Sequence, residues 1–103
     1  MGLVEYIVKR TLDYLASTAK SKRKAYGQFF TPPSIARYMG NLLLCRKTEY
    51  SILDAGAGSG ILSAAVLDRI ASFGNPATIH LDAYENNPDI VPLLKSNLDY
   101  AFF

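Results

Sequence analysis

The chain has 103 residues, half of them apolar and 12% aromatic, and a net charge of +2. This length suits one small domain, and this composition argues for a packed globular core and against disorder. Cys45 is the only cysteine, which excludes an internal disulfide framework; we expect it to be buried near a helix end rather than to act as a nucleophile. Neither a secretory pattern nor an apolar run of about 18 residues is present, so we expect a cytoplasmic protein without membrane contact.

The two halves of the chain carry opposite charge. Residues 1–50 hold nine Lys or Arg and three acidic residues, a net charge of +6. Residues 51–103 hold two basic and six acidic residues, a net charge of −4. A basic half joined to an acidic half occurs in proteins that approach a polyanion, but this pattern alone is weak evidence.

Two helices are predicted in the first half. From Leu3 to Ala19 apolar residues recur at three- and four-residue steps, which predicts an amphipathic helix with one buried stripe. The basic connector Lys20–Lys24 either contacts DNA phosphates or is a solvated linker, the interpretation that we favour. The proline pair that follows Thr31 predicts a second helix, with Thr31 as N-cap and the first proline at the first helical position. This helix is expected to run to about Leu44.

Strands and helices alternate in the second half. A short strand, Ser51–Asp54, precedes a glycine-rich turn and a helix from Ile61 to about Phe73. Apolar and polar residues then alternate over Thr78–Tyr84, which predicts a second strand. A last helix with Asp89 as N-cap is expected to end near Tyr100. This order predicts two parallel strands joined by a right-handed crossover.

Two parallel strands are not a stable sheet in isolation, because parallel sheets are normally buried on both faces. We therefore interpret residues 1–103 as a single truncated α/β domain. Residues 1–50 supply its N-terminal helices, and residues 51–103 form a βαβα half. The apolar end Ala101–Phe103 predicts self-association of the chain.

The glycine turn, Asp54–Gly60, has the chemistry of a nucleotide site. Glycines let a ligand approach the main chain, and the free amides at a helix start suit an electronegative group. Glu85 ends the next strand, and in a doubly wound sheet both strand ends face one crevice. A carboxylate there can accept hydrogen bonds from both hydroxyls of a ribose. The glycines at 56, 58 and 60 differ in spacing from the G-x-G-x-x-G turn of dinucleotide-binding folds.

The D-x-G-x-G-x-G form that starts at Asp54 resembles the first motif of S-adenosylmethionine-dependent methyltransferases. Upstream, the Gly27–Pro32 segment G-Q-F-F-T-P is similar to the G-Q-[FY]-[FY]-T-P segment of adenine-N6 DNA methyltransferases of restriction–modification systems. With Glu85, the resemblance covers about Ala25 to Leu98. It implies a partial Rossmann-like methyltransferase fold of two N-terminal helices and a βαβα unit. It also implies S-adenosyl-L-methionine as cofactor and DNA as partner of the full-length protein.

The same resemblance implies which parts of the chain bind the cofactor. The segment Phe30–Pro32 would close over the methionine end, and the glycine turn would face the amino-acid portion. Glu85 would bind the ribose, while Asn86 stands where the family often has an apolar residue against the adenine ring. The cofactor-binding residues implied in this way are Phe30, Thr31, Pro32, Asp54, Ala55, Gly56, Gly58, Gly60, Glu85 and Asn86.

The family's later [DNS]-P-P-[YF] motif, which holds the flipped adenine, does not occur in these residues. We therefore assign no catalytic residue here and do not expect the chain to transfer a methyl group alone. No metal site is expected, because His80 has no second ligand at metal-binding spacing. The alternatives are a methyltransferase acting on RNA or on a protein glutamine, and a non-catalytic nucleotide-binding or interaction module.

Overall fold

The computed structural model of the chain describes residues 2–17 and 30–102. The predictions for the connector Lys20–Lys24 and for Gly27–Phe29 lie outside the described residues. Within them, the elements follow the predicted order, and no helix is both long and apolar enough to span a membrane. The elements are α1 (Leu3–Ser17), α2 (Pro33–Gly40), β1 (Glu49–Ala55), α3 (Ile61–Ser72), β2 (Thr78–Tyr84) and α4 (Val91–Ala101).

Helix α1 buries a narrow stripe. Val4, Ile7 and Thr11 are its buried residues, spaced by three and four positions as an amphipathic helix requires. Leu12, which belongs to the predicted apolar stripe, is 60% exposed. The stripe is narrower than the sequence predicts because α1 packs mainly against α3 and only lightly against α4.

The start of α1 is capped by a side chain from another helix. The two carboxylate oxygens of Asp68, on α3, accept hydrogen bonds from the amides of Leu3 and Val4 at 3.0 Å each. First-turn amides have no partner within their own helix, and the positive end of the helix dipole favours a negative group. Asp68 therefore supplies the cap of α1 and ties α1 to α3.

The start of α2 differs from the prediction. Thr31 is not the N-cap: Pro32 occupies that position without a side-chain cap, and Pro33 opens the helix. The Pro32 carbonyl accepts a hydrogen bond from the Ala36 amide at 3.0 Å. The predicted cap is wrong because either proline can take the first helical position, and the second one does so here.

Helix α2 also ends earlier than predicted, at Gly40 rather than near Leu44. A β-carbon at Gly40 would lie 2.9 Å from the backbone oxygen of Ala65, so this glycine lets α2 approach α3 closely. Leu42 and Leu44 follow the helix as exposed residues. Cys45 is exposed too, not buried as predicted, because the chain has already left the helix.

Strands β1 and β2 pair in parallel, as predicted, from Glu49 opposite Thr78 to Ala55 opposite Tyr84. β2 has the predicted bounds, and β1 extends beyond its predicted bounds at both ends. Alternate residues of each strand are exposed along the whole length, including Leu53 at 69% and Tyr84 at 63%. In the described residues, therefore, one face of the sheet is open.

The N-cap of helix α4 lies one residue later than predicted. Ile90, not Asp89, is the N-cap. The side-chain oxygen of Asn87 accepts a hydrogen bond from the Asp89 amide at 3.0 Å, and its carbonyl accepts one from the Ile90 amide at 3.1 Å. Asn87 thus forms an Asx-type turn that leads into the helix, which is why the predicted cap is wrong. Pro92 lies in the first turn of α4, where a helix tolerates proline.

The hydrophobic core lies among the first three helices. Its buried members come from α1, α2 and α3, and half of them are alanines, whose small side chains let helix backbones approach one another. This core joins residues from both halves of the chain. Its members are Val4, Ile7, Ala36, Ile61, Ala64 and Ala65.

Replacing Asp68 with Ala should lower the free energy of unfolding by about 1–2 kcal/mol, because the α1 amides lose their acceptor. Asp68→Asn keeps one oxygen acceptor and should lose less. Urea denaturation followed by circular dichroism measures both changes. Equal stability of Asp68→Ala and the wild type would show that water replaces this cap without cost.

We also expect the chain to self-associate through exposed apolar residues near α4. Tyr84 and Phe102 are exposed, and a groove of about 470 Å³ between β2 and α4 is lined in part by Leu81 and Leu94. Light scattering should give a mass above the 11.3 kDa of one chain, rising with concentration. Tyr84→Ser, which removes an exposed ring that lines the groove, should reduce this mass, whereas Leu44→Ser, at an exposed leucine outside the groove, should not. A monomer at high concentration would contradict the expectation.

Candidate functional site

The glycine turn connects β1 to α3 in a backbone conformation that favours glycine. Gly56, Gly58 and Gly60 have φ angles of 71°, 58° and 97°. A side chain in this left-handed region is strained, so each glycine meets a backbone requirement. A β-carbon at Gly56 would meet no atom within 4 Å. The main chain at Gly56 is therefore open to close approach by a ligand.

The turn is joined to the end of β2 by the backbone and by the side chain of Glu85. The Ala57 amide donates to the Tyr84 carbonyl at 2.8 Å, which continues the pairing of the two strands into the turn. The Gly58 amide donates to Oε1 of Glu85 at 2.9 Å, and the Asn87 amide donates to Oε2 at 3.0 Å. Each carboxylate oxygen has more than one acceptor direction, so Glu85 can accept further hydrogen bonds from a ligand.

Asp54 lies at the other side of the turn and is buried. Its carboxylate accepts a hydrogen bond from the hydroxyl of Ser63, in the first turn of α3. A buried carboxylate is costly without such a partner. The bond fixes the direction of Asp54 and links the end of β1 to the start of α3.

Ser59, within the turn, is hydrogen-bonded to residues of two helices. Its hydroxyl oxygen lies 2.7 Å from the hydroxyl oxygen of Thr11 on α1. Its carbonyl accepts a hydrogen bond from the side-chain amide of Asn97 on α4 at 2.8 Å. All three residues are buried, with exposed fractions of 1% for Ser59, 3% for Thr11 and 0% for Asn97. Water therefore cannot easily replace either contact.

The segment before α2 approaches the turn through Phe30. A β-carbon placed on Gly58 would lie 3.7 Å from the Phe30 ring, which is ordinary van der Waals contact. The ring also packs edge-on against Tyr14, with centroids 6.5 Å apart. Thr31 is half-buried and Pro32 exposed.

The structure thus brings together some of the predicted site residues. Gly58 lies beside both Phe30 and Glu85, and Asp54 lies at the base of the same turn. Ala55 and Asn86 are both exposed. In residues 2–17 and 30–102, no three His, Cys, Asp or Glu side chains lie where they could hold a metal ion.

Sequence reasoning missed the polar residues that support the turn. Thr11 occupies a position of the α1 stripe that should be apolar, and Asn97 is likewise a polar residue on the buried face of α4. A polar residue at a core position is a signal that a buried partner exists. The partner itself, Ser59, is set by tertiary packing and cannot be read from the spacing.

Comparison with known proteins places these features in a family context. The family model described as N-6 DNA Methylase matches residues 8–98. The chain is 31% identical over 97 residues to the Type II methyltransferase M.AccI of Acinetobacter calcoaceticus, covering 92% of this chain and 17% of that protein. It is 34% identical over 97 residues to the Type II methyltransferase M.PstI of Providencia stuartii, covering 94% of this chain and 18% of that protein. The chain therefore spans less than a fifth of either relative's length. No solved structure matches it significantly.

Proposed function

The chain belongs to the N-6 DNA methylase family, and we propose that it is the S-adenosylmethionine-binding portion of a DNA adenine-N6 methyltransferase. The family match and two relatives named Type II methyltransferases support a role in restriction–modification. The observation that carries the cofactor assignment is the contact of Glu85 with the amide of Gly58. It joins the glycine turn and the acid of the second strand in one site.

The residues present fit an adenosyl ligand. Gly56 leaves open space above the main chain, so a ligand can approach the backbone there. Glu85 is held by two amides, from Gly58 and Asn87, and keeps acceptor capacity for the two hydroxyls of a ribose. The ring of Phe30 covers one side of the turn and would exclude water from a bound cofactor.

We assign the residues of this site as follows. Glu85 accepts hydrogen bonds from the ribose, and Gly56, Gly58 and Gly60 with Ala55 let the turn contact the amino-acid portion. Asp54 holds the turn against α3 through Ser63. The Phe30–Pro32 segment covers the methionine end, and Asn86 lies at the adenine edge. We further propose that the βαβα unit is part of a Rossmann-like sheet in one truncated domain.

When bound, the cofactor supplies a methyl group on a sulfonium, which is electrophilic enough for an adenine amino nitrogen to attack. This chain's residues contribute binding and orientation. The [DNS]-P-P-[YF] motif that would hold a flipped adenine is not among the 103 residues. We propose that the transfer step depends on other parts of the whole protein and that this portion is inactive alone.

The substrate assignment is tested with the whole protein, radiolabelled cofactor and three acceptors: duplex DNA, RNA and protein. Label should enter the adenine amino group of duplex DNA. Label in RNA or in protein glutamine would contradict the DNA assignment. Absence of cofactor binding by the whole protein would favour a non-catalytic module instead.

Glu85→Gln should weaken S-adenosylmethionine binding about tenfold or more, equivalent to about 1.4 kcal/mol. The glutamine side chain carries no charge, and its NH₂ group would face the backbone amide of Asn87 or of Gly58. Both backbone amides are donors, so one of the two hydrogen bonds would be lost. Calorimetry with S-adenosylmethionine and its demethylated product measures the loss. Asp82→Asn makes the same charge change on an exposed residue of β2 and should bind like the wild type. Equal affinity of Glu85→Gln and the wild type would contradict the ribose assignment.

Gly56→Ala should abolish or strongly weaken cofactor binding, because the added methyl enters the space above the turn. Gly74→Ala is a matched control: Gly74 has a φ of 77°, and its β-carbon would also meet no atom within 4 Å. Both substitutions should cost about 1–2 kcal/mol of stability through the left-handed backbone. Only Gly56→Ala should change affinity, and an equal effect of the two on binding would show that the loss is due to stability alone.

A further inference from the structure

The hydrogen bond between Thr11 and Ser59 connects the N-terminal helix to the glycine turn across 48 positions of sequence. The Thr11 hydroxyl oxygen lies 2.7 Å from the Ile7 carbonyl and 2.7 Å from the Ser59 hydroxyl. A carbonyl only accepts, and a hydroxyl has one proton. Thr11 therefore donates to Ile7 and accepts from Ser59, which orients the Ser59 side chain.

Ser59 is flanked by Gly58 and Gly60, both at positive φ. Glycine loses more conformational freedom on folding than any other residue, so this stretch is costly to order. The only side chain between the two glycines is that of Ser59, and it is anchored to Thr11. This anchor restrains the stretch that includes the Gly58 amide, which faces Glu85 at 2.9 Å.

We infer that Thr11 is a positioning residue of the cofactor site, acting through Ser59 on the Gly58 amide and Glu85. The inference rests on the proposed function and deepens it, because it makes α1 part of the site without contact to the cofactor. Without the anchor, the turn populates its binding conformation less often. The apparent affinity for the cofactor falls in proportion to the population of that binding conformation.

The variants Thr11→Val, Thr11→Ser and Ser59→Ala, with the double variant Thr11→Val/Ser59→Ala, test this inference. Valine has the shape of threonine but leaves the Ser59 hydroxyl without its acceptor; serine keeps the acceptor. Thr78→Val makes the same substitution on an exposed residue of β2 and serves as the control.

Calorimetry with S-adenosylmethionine should show about tenfold weaker binding for Thr11→Val and near wild-type binding for Thr11→Ser and Thr78→Val. Adding Thr11→Val to Ser59→Ala should have little further effect, because the two residues act as one unit. Equal weakening by Thr11→Val and Thr11→Ser would overturn the inference. Independent, additive effects of Thr11→Val and Ser59→Ala would overturn it as well.

Amide hydrogen exchange separates this inference from the proposed function. Thr11→Val should speed exchange of the Gly58 and Gly60 amides relative to amides in the middle of α3, and Thr11→Ser should not. If the whole protein binds no cofactor but its Thr11→Val variant shows this exchange pattern, the proposed function is overturned and the anchor is supported. Unchanged exchange at Gly58 in Thr11→Val would overturn the anchor whatever the affinity.

Discussion

Between Gly58 and Gly60 the backbone has little conformational preference of its own, so the shape of the turn depends on what holds Ser59. Thr11 from α1 and Asn97 from α4 bind its hydroxyl and its carbonyl, and all three residues are buried. Buried hydrogen bonds are strong because breaking one leaves a polar group without water. These two hydrogen bonds therefore restrain the backbone conformation of the turn more than its own residues do.

The parallel sheet determines where this turn meets its acid. The strands pair up to Ala55 opposite Tyr84, so the first residues after each strand are neighbours. The Ala57 amide still bonds to the Tyr84 carbonyl, and the next amide, that of Gly58, bonds to Glu85. Glu85 is the first residue after β2, so the end of the paired strands determines its place beside the turn. The geometry of the site thus depends on the pairing register of the two strands as much as on the glycine motif.

The sequence predicted those parts of the fold that depend on local pattern. The alternation over Thr78–Tyr84 predicts β2 with its observed bounds. The capping preferences of Thr31 and Asp89 fail, because Pro33 and the Asx turn at Asn87 determine where the helices begin. Contacts such as the Asp68 cap of α1 could not be predicted, since they join residues about 65 positions apart. The glycine turn and its acid can be recognised as local motifs, whereas the residues that support them do so through tertiary contacts.

The N-terminal helices are therefore more than an extension of a βαβα unit. They supply half of the core members, and α1 is capped by Asp68 and contributes Thr11 to the turn. Without residues 1–50, α3 would expose Ala64 and Ala65, and Ser59 would lose the acceptor of its hydroxyl. A nucleotide site needs a backbone that is already ordered before the ligand arrives, because any ordering on binding is subtracted from the affinity. From this dependence of the turn on α1 we propose that both halves form one domain, in which the basic N-terminal half shapes the site formed by the acidic half.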